Sequence, residues 1–286
     1  MGFGPWCTIR ADVMASFHER LRAAWRDTGS FLCVGLDPQL ERMPDELLSS
    51  ATPLLDFGLA VVEACGPHVC AFKPQIAFYS AVGAERELEL TIRAIRERCP
   101  GVLVILDAKR GDVASTAERY VREAFDRYGA DAVTVNPYLG ADSVLPFLAR
   151  RDRGAIVVCR SSNPGAATLQ DLVVDGEPLF ARLARVAVAE WSANDNLALV
   201  MGATYPSQLA QVRRLAPELP FLVPGIGAQG GDLRASLRAG LTAAGDGIVV
   251  SASRSVIYAG GRAAIAAAAR DLAAAIRRER EAILAG

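Results

Sequence analysis

Histidine is almost missing from this chain of 286 residues; there are two, His18 and His68. Neither follows an apolar, strand-like run, which disfavours a histidine acid–base pair, a His-rich metal site and a Ser-His-Asp triad. Cysteine is sparse too. Its six positions (7, 33, 65, 70, 99 and 159) form no Cys-x-x-Cys pair and no metal-ligand spacing. Cys33 and Cys159 sit inside apolar runs, where a free thiol acts as a small hydrophobe, as suits a reducing compartment. Surplus charge is absent: 31 basic residues face 32 acidic ones, for a net charge of −1. That excludes the basic footprint of a nucleic-acid binder. No apolar run reaches membrane-spanning length, the Ala-rich stretch 263–276 being broken by Arg270 and Asp271, and no signal-peptide core opens the chain. A Walker motif is also lacking. The expectation is a soluble, cytoplasmic, globular protein without membrane or nucleic-acid partners.

Lysine is the most telling scarcity. Of the 31 basic residues only Lys73 and Lys109 are lysines, and the other 29 are arginines. A guanidinium keeps its proton near neutral pH, whereas an ammonium is compact and can donate one. Both lysines follow apolar runs, Cys70-Ala71-Phe72-Lys73 and Ile105-Leu106-Asp107-Ala108-Lys109. Around the second, Asp107, Lys109 and Asp112 form an Asp-x-Lys-x-x-Asp spacing. Side chains at i and i+2 of a strand share a face, so Asp107 and Lys109 are expected side by side, with Gly111 allowing a sharp bend before Asp112.

What is present in quantity is alternation. Apolar runs at 31–36, 69–72, 102–106, 132–135, 155–159, 197–201, 221–223 and 247–250 alternate with helical periods at 53–65, 84–98, 114–127, from 143, 178–191, 206–215, 232–239 and 261–283. An amphipathic helix, 13–26, leads in. Eight βα units in this length point to an α/β fold, a (β/α)8 TIM barrel with an extra N-terminal helix. The expected division is a helical lead-in, 1–30, and a catalytic barrel, 31–286. Chemistry on such barrels sits just after the strands, where nearly all the informative residues fall. The one long loop of this face, 160–177, reads as a lid with Pro164, Gly165 and Gly176 as hinges.

Two loops suit an anion. Gly225-Ile226-Gly227-Ala228-Gln229-Gly230-Gly231 follows the seventh run and opens a helix, and Ser253-Arg254 follows the eighth. The loops after strands seven and eight of such barrels often form a phosphate site, to which Gln229 would give its amide and Arg254 its guanidinium fork. Ser161, Ser162 and Asn163 could bond a planar ligand or be ordinary loop residues. Asp37 and Asn136 carry the same ambiguity.

Taken in chain order, Phe72-Lys73-Pro74-Gln75, Asp107-Ala108-Lys109-Arg110-Gly111-Asp112, Ser162-Asn163-Pro164-Gly165, Pro224-Gly225-Ile226-Gly227-Ala228-Gln229-Gly230-Gly231-Asp232 and Ser253-Arg254-Ser255 resemble the orotidine 5′-phosphate decarboxylase family. The likeness runs from about residue 31 to 260 and is nearest to the longer bacterial subfamily with Asp-Ala-Lys-Arg-Gly-Asp. The resemblance implies a cofactor-independent decarboxylase of orotidine 5′-monophosphate, working as a homodimer. It implies that Lys73, Asp107, Lys109 and Asp112 form an alternating charge network, Asp112 coming from the other subunit. Asp37, Lys73 and Asp112 would hold the ribose hydroxyls, with Thr116 near the same contact. Ser162 would read the pyrimidine, Ser161 being the lesser candidate, and Gln229 and Arg254 would hold the 5′-phosphate. Ser253 departs from a glycine common before the phosphate-binding arginine. Lys109, kept charged by its acidic neighbours, would stabilise a C6 carbanion and then protonate it. Two alternatives share the pattern. One is a relative of 3-keto-gulonate-6-phosphate decarboxylase, which would need Mg²⁺, a further acidic ligand and a histidine. The other is a barrel that binds nucleotides without catalysis.

Overall fold

The computed structural model describes residues 14–226 and 230–286. Among them, eight parallel strands close into a barrel in chain order. They are β1 Leu32–Leu36, β2 Ala71–Pro74, β3 Leu103–Arg110, β4 Ala132–Val135, β5 Gly154–Arg160, β6 Leu197–Met201, β7 Phe221–Pro224 and β8 Ile248–Ala252. Pairing of β1 with both β2 and β8 completes the ring. Closure leaves the barrel itself without a free edge.

Alternation along each strand sorts its side chains between two layers. Leu32, Val34, Val104, Leu106, Val133, Val135, Leu199 and Val250 face outward into one core shared with the surrounding helices. Cys33, Ala71, Leu103, Ile105, Ala132, Ile156, Ala198, Leu222 and Val249 face inward and form a second cluster. Following the inward rows towards the C-terminal ends of the strands leads to Lys73 after Ala71, Asp107 after Ile105 and Thr134 after Ala132. The period of two therefore delivers polar groups to the mouth of the barrel.

The floor is sealed by the leading helix, Phe17–Thr28, which starts and ends slightly later than 13–26. Its capping box explains the start: the Ser16 Oγ accepts the Glu19 N–H (3.1 Å), and the Glu19 carboxylate accepts the Ser16 N–H (2.6 Å). Gly29 ends it in the left-handed conformation, φ 61°. Phe17, Leu21, Ala24 and Trp25 pack into the inward cluster, each large side chain contributing about 1.5–3 kcal/mol by burial. Below them the buried Asp131 gathers Arg20 (2.5 Å), Arg96 (3.1 Å) and Arg153 (3.4 Å), and accepts the Val104 N–H (2.8 Å). His18 is buried in the same floor, where its Nε2 meets the Leu197 carbonyl (2.7 Å) and loss of solvent lowers its pKa.

Several helices end differently from the sequence pattern. The stretches 114–127 and 178–191 are α-helical only to Arg122 and Val186, and finish in π-turns, Glu123–Arg127 and Ala187–Trp191. The long loop after β5 is structured. It holds a short helix, Ala167–Gln170, and a two-stranded antiparallel ribbon, Val173–Val174 with Glu177–Pro178. Asp175 and Gly176, both at positive φ (53° and 79°), form the tight turn of that ribbon. Gly176 thus turns a hairpin.

Candidate active site

The centre of the mouth is Asp107, only 6% exposed. Its Oδ2 accepts from the Lys73 Nζ at 2.7 Å, and its Oδ1 from the Lys109 Nζ at 2.6 Å. A third donor, the Thr134 hydroxyl, reaches Oδ1 at 2.8 Å. Burial alone would raise the Asp107 pKa, but the two ammonium groups outweigh it and hold the carboxyl well below the usual range. Lys73 is buried as well. Desolvation pulls its pKa down, yet Asp107 and Asp37 reverse that and hold the ammonium above its ordinary value. The Lys109 side chain, by contrast, is half exposed and overhangs the opening. One carboxylate thus joins a sunken ammonium to an accessible one.

Regular strand alternation does not bring Lys109 there. Leu106 pairs with Val133 and Arg110 with Val135, so four steps along β3 match two along β4. Inside this bulge Lys109 adopts a left-handed backbone, φ 46°, a conformation that costs a side-chain-bearing residue about 1–2 kcal/mol. The Thr134 Oγ1 accepts the N–H groups of both Ala108 (3.0 Å) and Lys109 (2.9 Å). Arg110 then turns outward and clamps Glu123 with two bonds, 2.8 and 3.0 Å. Gly111 is needed for proximity: a Cβ there would lie 2.5 Å from the Asn136 carbonyl oxygen.

The remaining expected residues ring this centre unevenly. Asp37 follows β1; its Oδ2 accepts from the Ser253 hydroxyl (2.5 Å), while its buried Oδ1 has no hydrogen-bond partner among the described residues. The Tyr258 hydroxyl donates to the Asp37 carbonyl (3.1 Å) and accepts the Gln39 N–H (2.6 Å), tying the loops after β1 and β8 together. Arg254 begins a short helix after β8 and is exposed. Asp112 bonds only the Val113 N–H (2.8 Å) among the described residues and forms no ion pair with Lys109 of its own chain. Thr116 lies exposed in the first turn of the next helix. Gln229 lies outside the described residues, although Gly225 and Gly231 on either side of it are joined by an N–H to carbonyl bond of 3.1 Å.

After β5, Ser161 is engaged within its own loop. Its N–H donates to Gln170 (2.9 Å) and its hydroxyl to Asn163 (2.8 Å). Among the described residues Ser162 has only its carbonyl engaged, by the Thr204 hydroxyl at 3.1 Å. Arg160, fully buried, grips Asp171 of the long loop through two bonds, 2.8 and 3.0 Å, and lies 4.0 Å over the Tyr205 ring. Both histidines lie away from the mouth, His18 in the floor helix and His68 just before β2. Among the described residues no three His, Cys, Asp or Glu side chains converge as a metal site.

Sequence reasoning missed Thr134, Ser253 as a partner of Asp37, and Tyr258. Thr134 left a signal, the single polar residue of the run Ala132-Val133-Thr134-Val135. The contacts of Asp37 left none, because they join residues more than 200 positions apart.

A family model described as orotidine 5′-phosphate decarboxylase / HUMPS family matches residues 30–269. The orotidine 5′-phosphate decarboxylase of Cellvibrio japonicus is 54% identical over 245 residues, which are 85% of this chain and 90% of that protein. The enzyme of the same name from Azoarcus is 53% identical over 242 residues, again 85% and 90% of the two chains. Among solved structures, the OMP decarboxylase of Leishmania donovani superposes with a TM-score of 0.82 at 39% identity, covering 93% of this chain and 99% of its own.

Proposed function

We infer the chemistry from one premise: the chain belongs to the orotidine 5′-phosphate decarboxylase / HUMPS family. It decarboxylates orotidine 5′-monophosphate to uridine 5′-monophosphate and CO₂, the last step of de novo pyrimidine biosynthesis. On its Asp-Ala-Lys-Arg-Gly-Asp run we assign it to the longer bacterial subfamily, with residues 1–30 as lead-in and 31–286 as the catalytic barrel. The observation that carries the mechanism is the buried carboxylate held between two ammonium groups, one sunken and one overhanging the mouth.

In this reading the bond from C6 to the carboxylate breaks and its electron pair stays on C6, in the plane of the ring. The ammonium of Lys109 stabilises that charge and passes one proton to C6, giving the product; the amine regains a proton from solvent. Asp107 holds Lys109 on the reacting side while Lys73 anchors Asp107. Fixing these dipoles before the reaction lowers the reorganisation needed at the moment charge develops.

Substrate binding uses the ring of polar groups around the network. The unpartnered Asp37 Oδ1, together with Lys73, takes the ribose hydroxyls. Ser162 reads the pyrimidine, since the hydroxyl of Ser161 is already engaged by Asn163. Gln229 and Arg254 take the 5′-phosphate. Asp112, which lacks a cationic partner in its own chain among the described residues, serves the neighbouring site of a homodimer, with Thr116 beside it. No helix among the described residues is long and apolar enough to cross a membrane, and a cytoplasmic setting fits the nucleotide substrate.

The deciding experiment is orotidylate-dependent CO₂ release by the purified protein and by Lys109→Ala. The variant should lose turnover and still bind uridine 5′-monophosphate; a variant that turns over at the normal rate would refute the mechanism.

A further inference from the structure

Thr134 is the single polar residue of β4, and it is almost completely buried inside the barrel, 1% exposed. A hydroxyl offers one donor and two acceptor positions, and here all three are in use. The Oγ1 accepts from the Ala108 N–H (3.0 Å) and the Lys109 N–H (2.9 Å), and donates to the Asp107 Oδ1 (2.8 Å). These three residues are the ones extruded where β3 slips out of register with β4. A bulge leaves backbone groups that the ladder cannot satisfy, and this side chain takes the place of the missing ladder bonds.

We propose that Thr134 is a positioning residue for decarboxylation, its hydroxyl holding the β3 bulge that aims the Lys109 ammonium and the Asp107 carboxylate at the reacting carbon. The proposal rests on the roles given above to Lys109 and Asp107. Two features make the residue suited to this. Its β-branched side chain has restricted freedom about χ1, so few hydroxyl positions are open to it. The same oxygen also fixes both backbone and side chain of the motif, since it touches two N–H groups and the carboxylate that the Lys109 Nζ contacts at 2.6 Å. Without the hydroxyl, the left-handed Lys109 loses its N–H acceptor, and Asp107 retains only its two lysine partners, one of them half exposed. A displacement of about 1 Å in a reacting group costs on the order of 10²-fold in rate.

The test compares Thr134→Val, which keeps the shape and removes the hydroxyl, with Thr134→Ser, which keeps the hydroxyl and removes the methyl. Lys109→Ala serves as a reference. Turnover, KM, affinity for uridine 5′-monophosphate and thermal midpoint are read for each. Thr134→Val should lose about 10²-fold in kcat, with product affinity near the wild-type value; Thr134→Ser should recover most of the rate. Should the valine variant fail to fold, Thr134→Ala is read in its place against the serine variant. Normal kcat in the variant lacking the hydroxyl overturns the proposal, and so does an equal loss in the serine variant. Full turnover in Lys109→Ala would instead overturn the underlying mechanism. A dead Lys109→Ala beside a fully active Thr134→Val would reject the positioning role alone.

Discussion

The Ser253 hydroxyl donates a 2.5 Å hydrogen bond to the Asp37 carboxylate, joining the segment after the last strand to the segment after the first. Ser253 immediately precedes Arg254, so one short stretch touches both proposed ends of the substrate, ribose and phosphate. The fit is close. A Cβ on Gly35 would come 2.9 Å from the Ser253 Cβ, so the serine occupies space that the glycine leaves open.

Removing that bond should loosen Asp37 before it affects the chemistry. Ser253→Ala is expected to raise KM for orotidylate by about ten- to a hundredfold, the range for a lost bond to a charged group, with a smaller change in kcat. Steady-state kinetics alongside product affinity check this, and an unchanged KM would remove Ser253 from the substrate-binding scheme.

The isolation of Asp112 from Lys109 within one chain leads to a complementation experiment. On the proposed homodimer, Lys109→Ala and Asp112→Ala proteins should each be nearly inactive. Mixed in equal amounts under exchange, they should regain about a quarter of the wild-type activity, because half of the dimers are hybrid and each hybrid carries one complete site. Mixtures that stay inactive despite proven exchange would argue that each site is built from a single chain.

The carboxyl at the centre sets an acid limb. The Asp107 pKa lies below its unfolded value, about 3.9, because Lys73 and Lys109 outweigh the effect of burial. Its contribution to stability is therefore complete above about pH 5 and is lost as the pH falls through the lower native value. Lys73 works in the opposite sense: held above its ordinary value, it contributes below about pH 10 and loses that contribution only as the pH rises through the native value. The difference in thermal midpoint between wild type and Asp107→Asn should narrow on acidification from about pH 5 to 3. A difference that widened would mean that Asp107 is not held ionised by its neighbours.

The barrel was readable because each strand is a short apolar run ended by polar or turn-forming residues, and those rules are local. The strands at 132–135 and 197–201 and the helix at 206–215 fall where the pattern puts them. The meeting of Lys73, Asp107 and Lys109 also left a trace, the two lysines through the scarcity of lysine and Asp107 through its spacing to Lys109. The route to their geometry left none. Alternation implies a regular strand through Lys109, whereas the chain bulges and turns left-handed there, for reasons that lie on β4. The two π-turns share this cause, since their hydrogen bonding depends on packing that a helical period does not encode. The ribbon at 173–178 escaped notice because its strands are two residues each and its valines are exposed.

The leading helix stoppers the barrel at the end remote from the ammonium pair, with Phe17 pressed so closely on Gly154 that a methyl group there would strike its ring at 2.7 Å. A share of the molecule's durability is thereby anchored at the pole opposite its turnover. Sequence drift at the base can harden or soften the molecule while the rim keeps its rate.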